Sequence, residues 1–218
     1  MQFLYHSSAG DSHITLDSRA FHYIFDVRRQ KSNDTLTLAN MLDSTLYSYR
    51  ILAIEKKRAI LELIDSKLIV QKSAKTHIIQ AVIDMGEFGK SLPYLNELFV
   101  ERVTFFYGDF SQRNERINIE KLNKILINSS MQCGRLSLMQ LEMMENLHAV
   151  LEAYNGARAL DFSDNRIDIK SHNRFIIGPE GGFSKSEREL LKGISFGIDN
   201  PLIMRAKTAS IFIAASRF

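Results

Sequence analysis

The sequence predicts an α/β protein in which a small antiparallel β-barrel precedes a larger, mostly parallel sheet with crossover helices. Three observations predict it. Before about residue 70, short apolar-polar alternations are separated by Asn-Asp, Asp-Ser and Lys-Lys breaks, the pattern of hairpin-linked strands with one buried face. After residues 71–75 the pattern changes to strands alternating with longer helical stretches, which is what parallel strands need to reconnect. With 218 residues and 45% hydrophobic content, the chain can bury one large core or two small ones. The expected domains are 1–70 and 71–218.

Taken in order, strands are expected at 2–6, 35–39, 46–54 and 58–64. A helix is expected at 18–29, where Phe21, Ile24 and Phe25 recur at helical spacing. In the second part, strands are expected at 77–82, 102–107, 137–139, 157–162, 173–177 and 193–198. Helices are expected at 90–98, 119–131, 144–153, 186–192 and 207–216. No internal repeat or low-complexity stretch interrupts this order.

Composition narrows the class. No apolar run approaches the roughly 20 residues that span a bilayer, so no membrane partner is expected. The start, Met1 to His6, lacks the basic cluster, apolar stretch and small-residue cleavage site of a secretory signal. The lone Cys133 excludes an internal disulfide and offers no zinc cluster, and no metal site is expected. These features point to the cytoplasm. Net charge is +3, with nine basic against eight acidic residues before residue 70, so any nucleic-acid contact must rest on local patches.

The chemistry concentrates in two stretches. Arg174-Phe175-Ile176-Ile177-Gly178-Pro179-Glu180-Gly181-Gly182-Phe183-Ser184 is a short apolar strand running into a glycine-rich turn. Glycine lets backbone approach a ligand and adopt positive φ, and function concentrates in such loops. The same residues also read as a plain strand-to-helix turn, with Ser184 and Glu187 as a capping box. The second stretch, Pro201-Leu202-Ile203-Met204-Arg205-Ala206-Lys207-Thr208-Ala209, leads into the last helix.

Together the two stretches resemble the RsmE family of ribosomal RNA methyltransferases, which carries a Gly-Pro-Glu-Gly-Gly-Phe-Ser loop and then a Leu-Arg-x-Glu-Thr-Ala signature. The likeness continues in His22-Tyr23-Ile24-Phe25-Asp26-Val27-Arg28-Arg29 with Asp34, in the helix around Lys90 to Leu98, and in Ser130-Met131-Gln132-Cys133-Gly134-Arg135. It thus spans about residues 20 to 210. The resemblance implies the SPOUT class: a trefoil-knotted, S-adenosylmethionine-binding domain after an N-terminal domain similar to PUA modules. Knots are almost absent from proteins, and periodicity would not suggest one.

The resemblance implies a cofactor pocket from Ile177, Gly178, Pro179, Gly181, Gly182, Ile198, Ile203, Met204, Arg205 and Thr208. Thr208 could equally cap the last helix. The implied reaction methylates ring nitrogen 3 of a uridine in 16S ribosomal RNA of the small subunit, with Arg205 and Glu180 as catalytic residues. A cation would stabilise the deprotonated ring; alternatively Arg205 pairs with Glu180. Glu180 reads better as an acid fixing backbone amides than as a proton acceptor. RNA contact is expected from Arg19, His22, Arg28, Arg29 and Lys31 on the barrel and from Arg113, Arg116 and Arg135 on the second domain. A homodimer is expected, burying apolar faces such as that of residues 119–131.

Two departures stand out. Lys207 and Met131 each occupy the place of a family glutamate, and Phe99 occupies that of a frequent glycine. If the first glutamate normally pairs with Arg205, another acid must replace it or Lys207 must point elsewhere. Alternative functions are a SPOUT enzyme acting on transfer RNA and a non-catalytic RNA-binding or ribosome assembly protein of the same fold.

Overall fold

The computed structural model describes residues 2–27, 34–71 and 75–217. Arg28, Arg29 and Lys31 lie outside the described residues, as does the side chain of Arg19. The chain divides into two compact units: Met1–Gln71 with Ile127–Leu138, and Lys72–Leu126 with Met139–Phe218.

The first unit is a five-stranded sheet. Its strands are β1 (Leu4–Tyr5), β2 (His13–Leu16), β3 (Thr35–Ala39), β4 (Thr45–Glu55) and β5 (Arg58–Leu68), with helix α1 (Ser18–Phe21) running on into a π-type turn at His22–Val27. The order is β1-β3-β4-β5-β2, antiparallel except where β1 joins β3. Register irregularities between Ser48 and Tyr49 and between Ile51 and Ala53 interrupt the long β4–β5 hairpin, the device that bends and twists a sheet. Ile14, Leu16, Leu38, Tyr49 and Leu61 fill the core. The Tyr49 hydroxyl donates to Asp11 O at 2.8 Å and accepts from Gly10 N at 2.9 Å. Strand β2 was not expected, because His13-Ile14-Thr15-Leu16 offers only two apolar alternations.

Residues 127–138 pack into this unit. Ile127, Met131, Leu136 and Leu138 join Phe3, Ala39 and Met41 in an apolar cluster, and Met131 Sδ accepts from Tyr5 N at 3.1 Å. Part of the 119–131 face, through Ile127 and Met131, is thus covered by its own chain. Met131 serves here as core where the family has a glutamate.

The second unit contains β6 (His77–Ala81), α2 (Met85–Glu97), β7 (Arg102–Tyr107), α3 (Ile119–Cys133, its later half in the first unit), β8 (Gln140–Asn146) and α4 (Leu147–Ala153). It continues with β9 (Arg158–Leu160), β10 (Arg174–Ile177), α5 (Lys185–Leu190), β11 (Ser195–Phe196) and α6 (Ala206–Ala215). Six parallel strands form one sheet in the order β11-β9-β10-β6-β7-β8. Every residue of β6 is buried, as expected for a central parallel strand. Helix α2 begins earlier than expected because Asp84 caps it, accepting from Glu87 N at 2.7 Å. The last expected mismatch is β8, placed at 137–139 by periodicity. It forms three residues later because an edge strand tolerates polar residues such as Gln140, Glu142 and Glu145, which hide its alternation.

Candidate active site

Strands β9, β10 and β11 end close to one another, and beyond their carboxyl ends lies a cavity of about 440 Å³. That edge is where open parallel sheets place ligands, and the size suits a small molecule. Three stretches of chain line it.

The first is the glycine loop, through Ile177, Gly178, Pro179, Glu180, Gly182 and Phe183. Gly182 N donates to Pro179 O at 2.9 Å, and Gly182 has φ of 71°, a conformation glycine adopts without steric cost. Phe183 is buried and its ring lies 3.3 Å from where a Gly178 β-carbon would sit. Ser184 and Glu187 form the capping box that opens α5. Glu187 is buried, and its carboxylate accepts from Ser184 N at 2.8 Å and from Asp109 N at 3.0 Å. Asp109 in turn accepts from the Ser184 and Ser186 hydroxyls, which hold its carboxyl below the usual range. The acid that fixes backbone amides is therefore Glu187. Glu180 is exposed and engages no amide among the described residues, correcting the structural role expected of it.

The second stretch comprises Ile198, Asn200, Leu202, Ile203 and Met204, followed by Ala206 and Ala209 of α6. Leu202 and Ile203 are 76% and 81% exposed. Arg205 is the N-cap of α6 and is exposed; no ion pair joins it to Glu180 among the described residues, so the alternative in which the two pair is absent. Gly181, Arg205 and Thr208 adjoin the lining residues without lining the cavity themselves. Thr208 stands two residues inside α6 and caps nothing. Lys207 points to α2, where Nζ meets Glu87 Oε2 at 2.5 Å.

The third stretch, Leu160 to Asp164 with Arg166, was missed by sequence reasoning. Its one signal is the turn-forming run Asp161-Phe162-Ser163-Asp164-Asn165 directly after a strand. Gly197 N donates to Asn165 O at 2.9 Å, and a β-carbon on Gly197 would lie 2.0 Å from Ser163 O. Two distant segments therefore pass each other with no room for a side chain.

The charge of the lining discriminates between ligands. Asp161 is neutralised by a two-pronged contact with Arg188 at 2.8 and 3.2 Å, and Arg166 faces Asp199 at 3.6 Å. Asp164 and Glu180 remain without an ion pair among the described residues. With two unpaired carboxylates in the lining against Arg205 at its edge, such a cavity favours a ligand with a positive centre over an anion.

The RNA candidates scatter. His22 Nδ1 lies 2.7 Å from Asp26 Oδ2 on an exposed turn. Arg113 covers the Tyr107 ring at 5.8 Å, and Arg116 lines a separate cavity with Lys90 and Lys121. Arg135 is 3% exposed, donates to Ser137 Oγ and belongs to the first unit. Its burial removes it from the expected RNA surface.

Residues 70–217 match the RNA methyltransferase domain family, and residues 16–64 match the RNA methyltransferase PUA domain. The chain belongs to the RNA methyltransferase family. The ribosomal RNA small subunit methyltransferase E of Helicobacter pylori is 40% identical to it, over 99% of this chain and 98% of the relative. Two solved structures share the fold. A methyltransferase of Legionella pneumophila in complex with S-adenosylmethionine has a TM-score of 0.82 at 22% identity, covering 98% of this chain and 95% of that one. The ribosomal RNA small subunit methyltransferase E of Neisseria gonorrhoeae, bound to S-adenosylmethionine, has a TM-score of 0.79 at 18% identity, covering 99% and 96%.

Proposed function

We propose that this protein methylates ring nitrogen 3 of a uridine in the 16S RNA of the small ribosomal subunit, using S-adenosylmethionine. The observation that carries this reading is the cavity itself, with a glycine-rich cradle, apolar flanks, two uncompensated carboxylates and an exposed arginine at its edge. The full-length likeness to the Helicobacter pylori enzyme supports the substrate class.

S-adenosylmethionine supplies an electrophilic methyl group on a cationic sulfur. The chain's own residues do the rest. Backbone from Gly178 to Gly182 and the side chains of Ile177, Ile198, Ile203 and Met204 would hold the flat base. Asp164 and Glu180 would offset the positive charge. Arg205, between the lining residues Met204 and Ala206, would face the uracil oxygens and stabilise the anion left when the ring nitrogen loses its proton. Holding that nitrogen in line with the methyl group contributes proximity. Glu180, which lines the cavity and is bound to no amide among the described residues, would be free to accept the proton in this reading, leaving Asp164 to offset the charge.

The threaded topology belongs to the same proposal, and the tight passage of Gly197 against Ser163 supports it. So do a cytoplasmic site of action and a homodimer. No helix among the described residues is long and apolar enough to cross a membrane. RNA would be gripped by Arg19, His22, Arg28, Arg29 and Lys31 of the first unit and by Arg113 and Arg116 of the second, largely through phosphate contacts and shape.

Calorimetric titration with S-adenosylmethionine, followed by methylation of purified small subunits with nucleoside mapping, tests the reading. The expected product is one N3-methyluridine in 16S RNA and none in transfer RNA. Folded protein that binds no S-adenosylmethionine would overturn the enzyme assignment, and product in transfer RNA alone would overturn the substrate.

A further inference from the structure

Gln80 lies next to the carboxyl end of β6, among the buried Ile78, Ile79 and Ala81 of the strand and Val82 and Ile83 just after it, and is 0% exposed. A central parallel strand ordinarily carries apolar residues throughout, and a buried amide is tolerated where its hydrogen bonds are made. Those bonds go to particular places. Nε2 donates to Ala81 O at 2.9 Å and to Gly178 O at 3.3 Å, while Oε1 accepts from Ser210 Oγ at 2.6 Å. Gly178 opens the glycine loop. Ser210, also 0% exposed, follows Ala209, a cavity-lining residue of α6.

One side chain therefore ties together two elements that line the cavity from sequence positions 32 residues apart, without lining it itself. We propose that Gln80 is a positioning residue for S-adenosylmethionine: it sets the spacing between the Gly178 carbonyl and α6, and hence the width of the cofactor cavity. The amide is the group that does this, because one bond is a donation to a carbonyl and the other an acceptance from a hydroxyl. A hydrocarbon of the same size makes neither. A carboxylate accepts from Ser210 but faces the Gly178 and Ala81 oxygens with no proton to give.

The inference rests on the cofactor reading above, and the tests keep the two apart. Gln80→Leu preserves volume and is expected to weaken S-adenosylmethionine binding about tenfold, as loss of paired buried hydrogen bonds implies. Its turnover at saturating cofactor and its KM for RNA should stay within about threefold, as for a residue that acts on binding. Ser210→Ala should weaken binding about threefold, and should add nothing in the Gln80→Leu background, as coupled neighbours do.

Gln80→Glu gives the readout that a merely structural role would not move. Burial raises a carboxyl pKa, so cofactor affinity of this variant should rise as pH falls from 8.5 to 6 and the side chain regains a proton to donate, while wild type stays flat. Hydrogen exchange without cofactor should show faster exchange at residues 178–183 and 206–209 in Gln80→Leu. Folded Gln80→Leu with affinity within twofold of wild type and unchanged exchange overturns the inference. So does a flat pH profile for Gln80→Glu, which decides the matter if Gln80→Leu does not fold. Wild-type protein that binds no S-adenosylmethionine, with exchange in Gln80→Leu accelerated as expected, sinks the cofactor reading and leaves Gln80 as the spacer of the two elements.

Discussion

On one side of the cavity, residues 178–184 are fastened from several directions: Phe183 is buried in the core, Glu187 accepts two backbone amides, and Asp109 accepts two serine hydroxyls. On the other side, residues 200–204 stand mostly exposed, with Asn200 N donating to Ile198 O and Leu202 N to Asn200 Oδ1. Sparse bonding and exposed apolar side chains mark the low-stability end of a structure. The contrast suggests a division of labour under the proposed function: the glycine loop is held by the protein's own bonds, whereas Leu202 and Ile203 would gain burial only from a bound ligand. Ligand contact with these two residues contributes affinity while adding little to the stability of the free protein.

Four variants can break or sharpen that contrast. Gly197→Ala should have the largest effect, since its β-carbon would stand 2.0 Å from a backbone oxygen that has no flexible side chain to yield. A loss of about 3 kcal/mol or more is expected, lowering Tm by roughly 6–12 °C in a melting experiment. Arg205→Ala should leave Tm unchanged and cofactor affinity within about tenfold, yet lower kcat about 100-fold, or about 2.7 kcal/mol of transition-state stabilisation. Wild-type turnover in this variant would remove Arg205 from the chemistry. Glu187→Ala leaves two part-buried amides without their acceptor and should cost about 1–2 kcal/mol, or roughly 2–8 °C in Tm. The combined Leu202→Ser and Ile203→Ser variant should melt with wild type but bind S-adenosylmethionine roughly tenfold more weakly by calorimetry. Equal loss of stability in these last two variants would erase the distinction between the walls.

The fastened wall was also the legible one. Gly178, Pro179, Gly182 and the Ser184–Glu187 capping box follow local rules of turn and helix start, so eleven consecutive letters suffice to place them. The exposed wall was legible by resemblance alone, since Leu202-Ile203-Met204 carries no local signal of its surroundings. The third wall, residues 160–166, escaped because its place is set by strand order: β9 lies between β10 and β11, an adjacency that no local pattern encodes. Gln80 escaped for a related reason, as did the reach of Glu187 to Asp109 N. In each case the partner lies far along the chain, and period-two or helical spacing says nothing of hydrogen bonds. Arg135 shows the converse, a charged residue that composition puts on the surface and packing puts inside.

The smallest expected effect concerns how the exposed wall is anchored. Lys207 follows Arg205 by two residues, at the start of α6, and Glu87 on α2 receives both Lys207 and Lys90. The hydrogen bond from Lys207 foremost, then that from Lys90, holds the Glu87 carboxyl at about 2, below its ordinary 4.5. A depressed folded-state pKa stabilises the fold above the unfolded value, and that contribution is lost as pH falls from 4.5 towards 2. Glu87→Gln should therefore flatten the acid limb of the stability curve across that window, and the difference from wild type should shrink in high salt because the pair is exposed to solvent. Lys207→Glu restores the residue type of the family signature but sets two carboxylates face to face, so it should lower Tm more than Glu87→Gln does. Combining it with Glu87→Lys should recover part of the loss, because the 87–207 pair then stands with its charges reversed while Lys90 is left facing another lysine. Recovery without Arg205-dependent turnover would show that the lysine at 207 also matters to the chemistry next to it, whereas recovery of both would make this ion pair an anchor of α6 and nothing more.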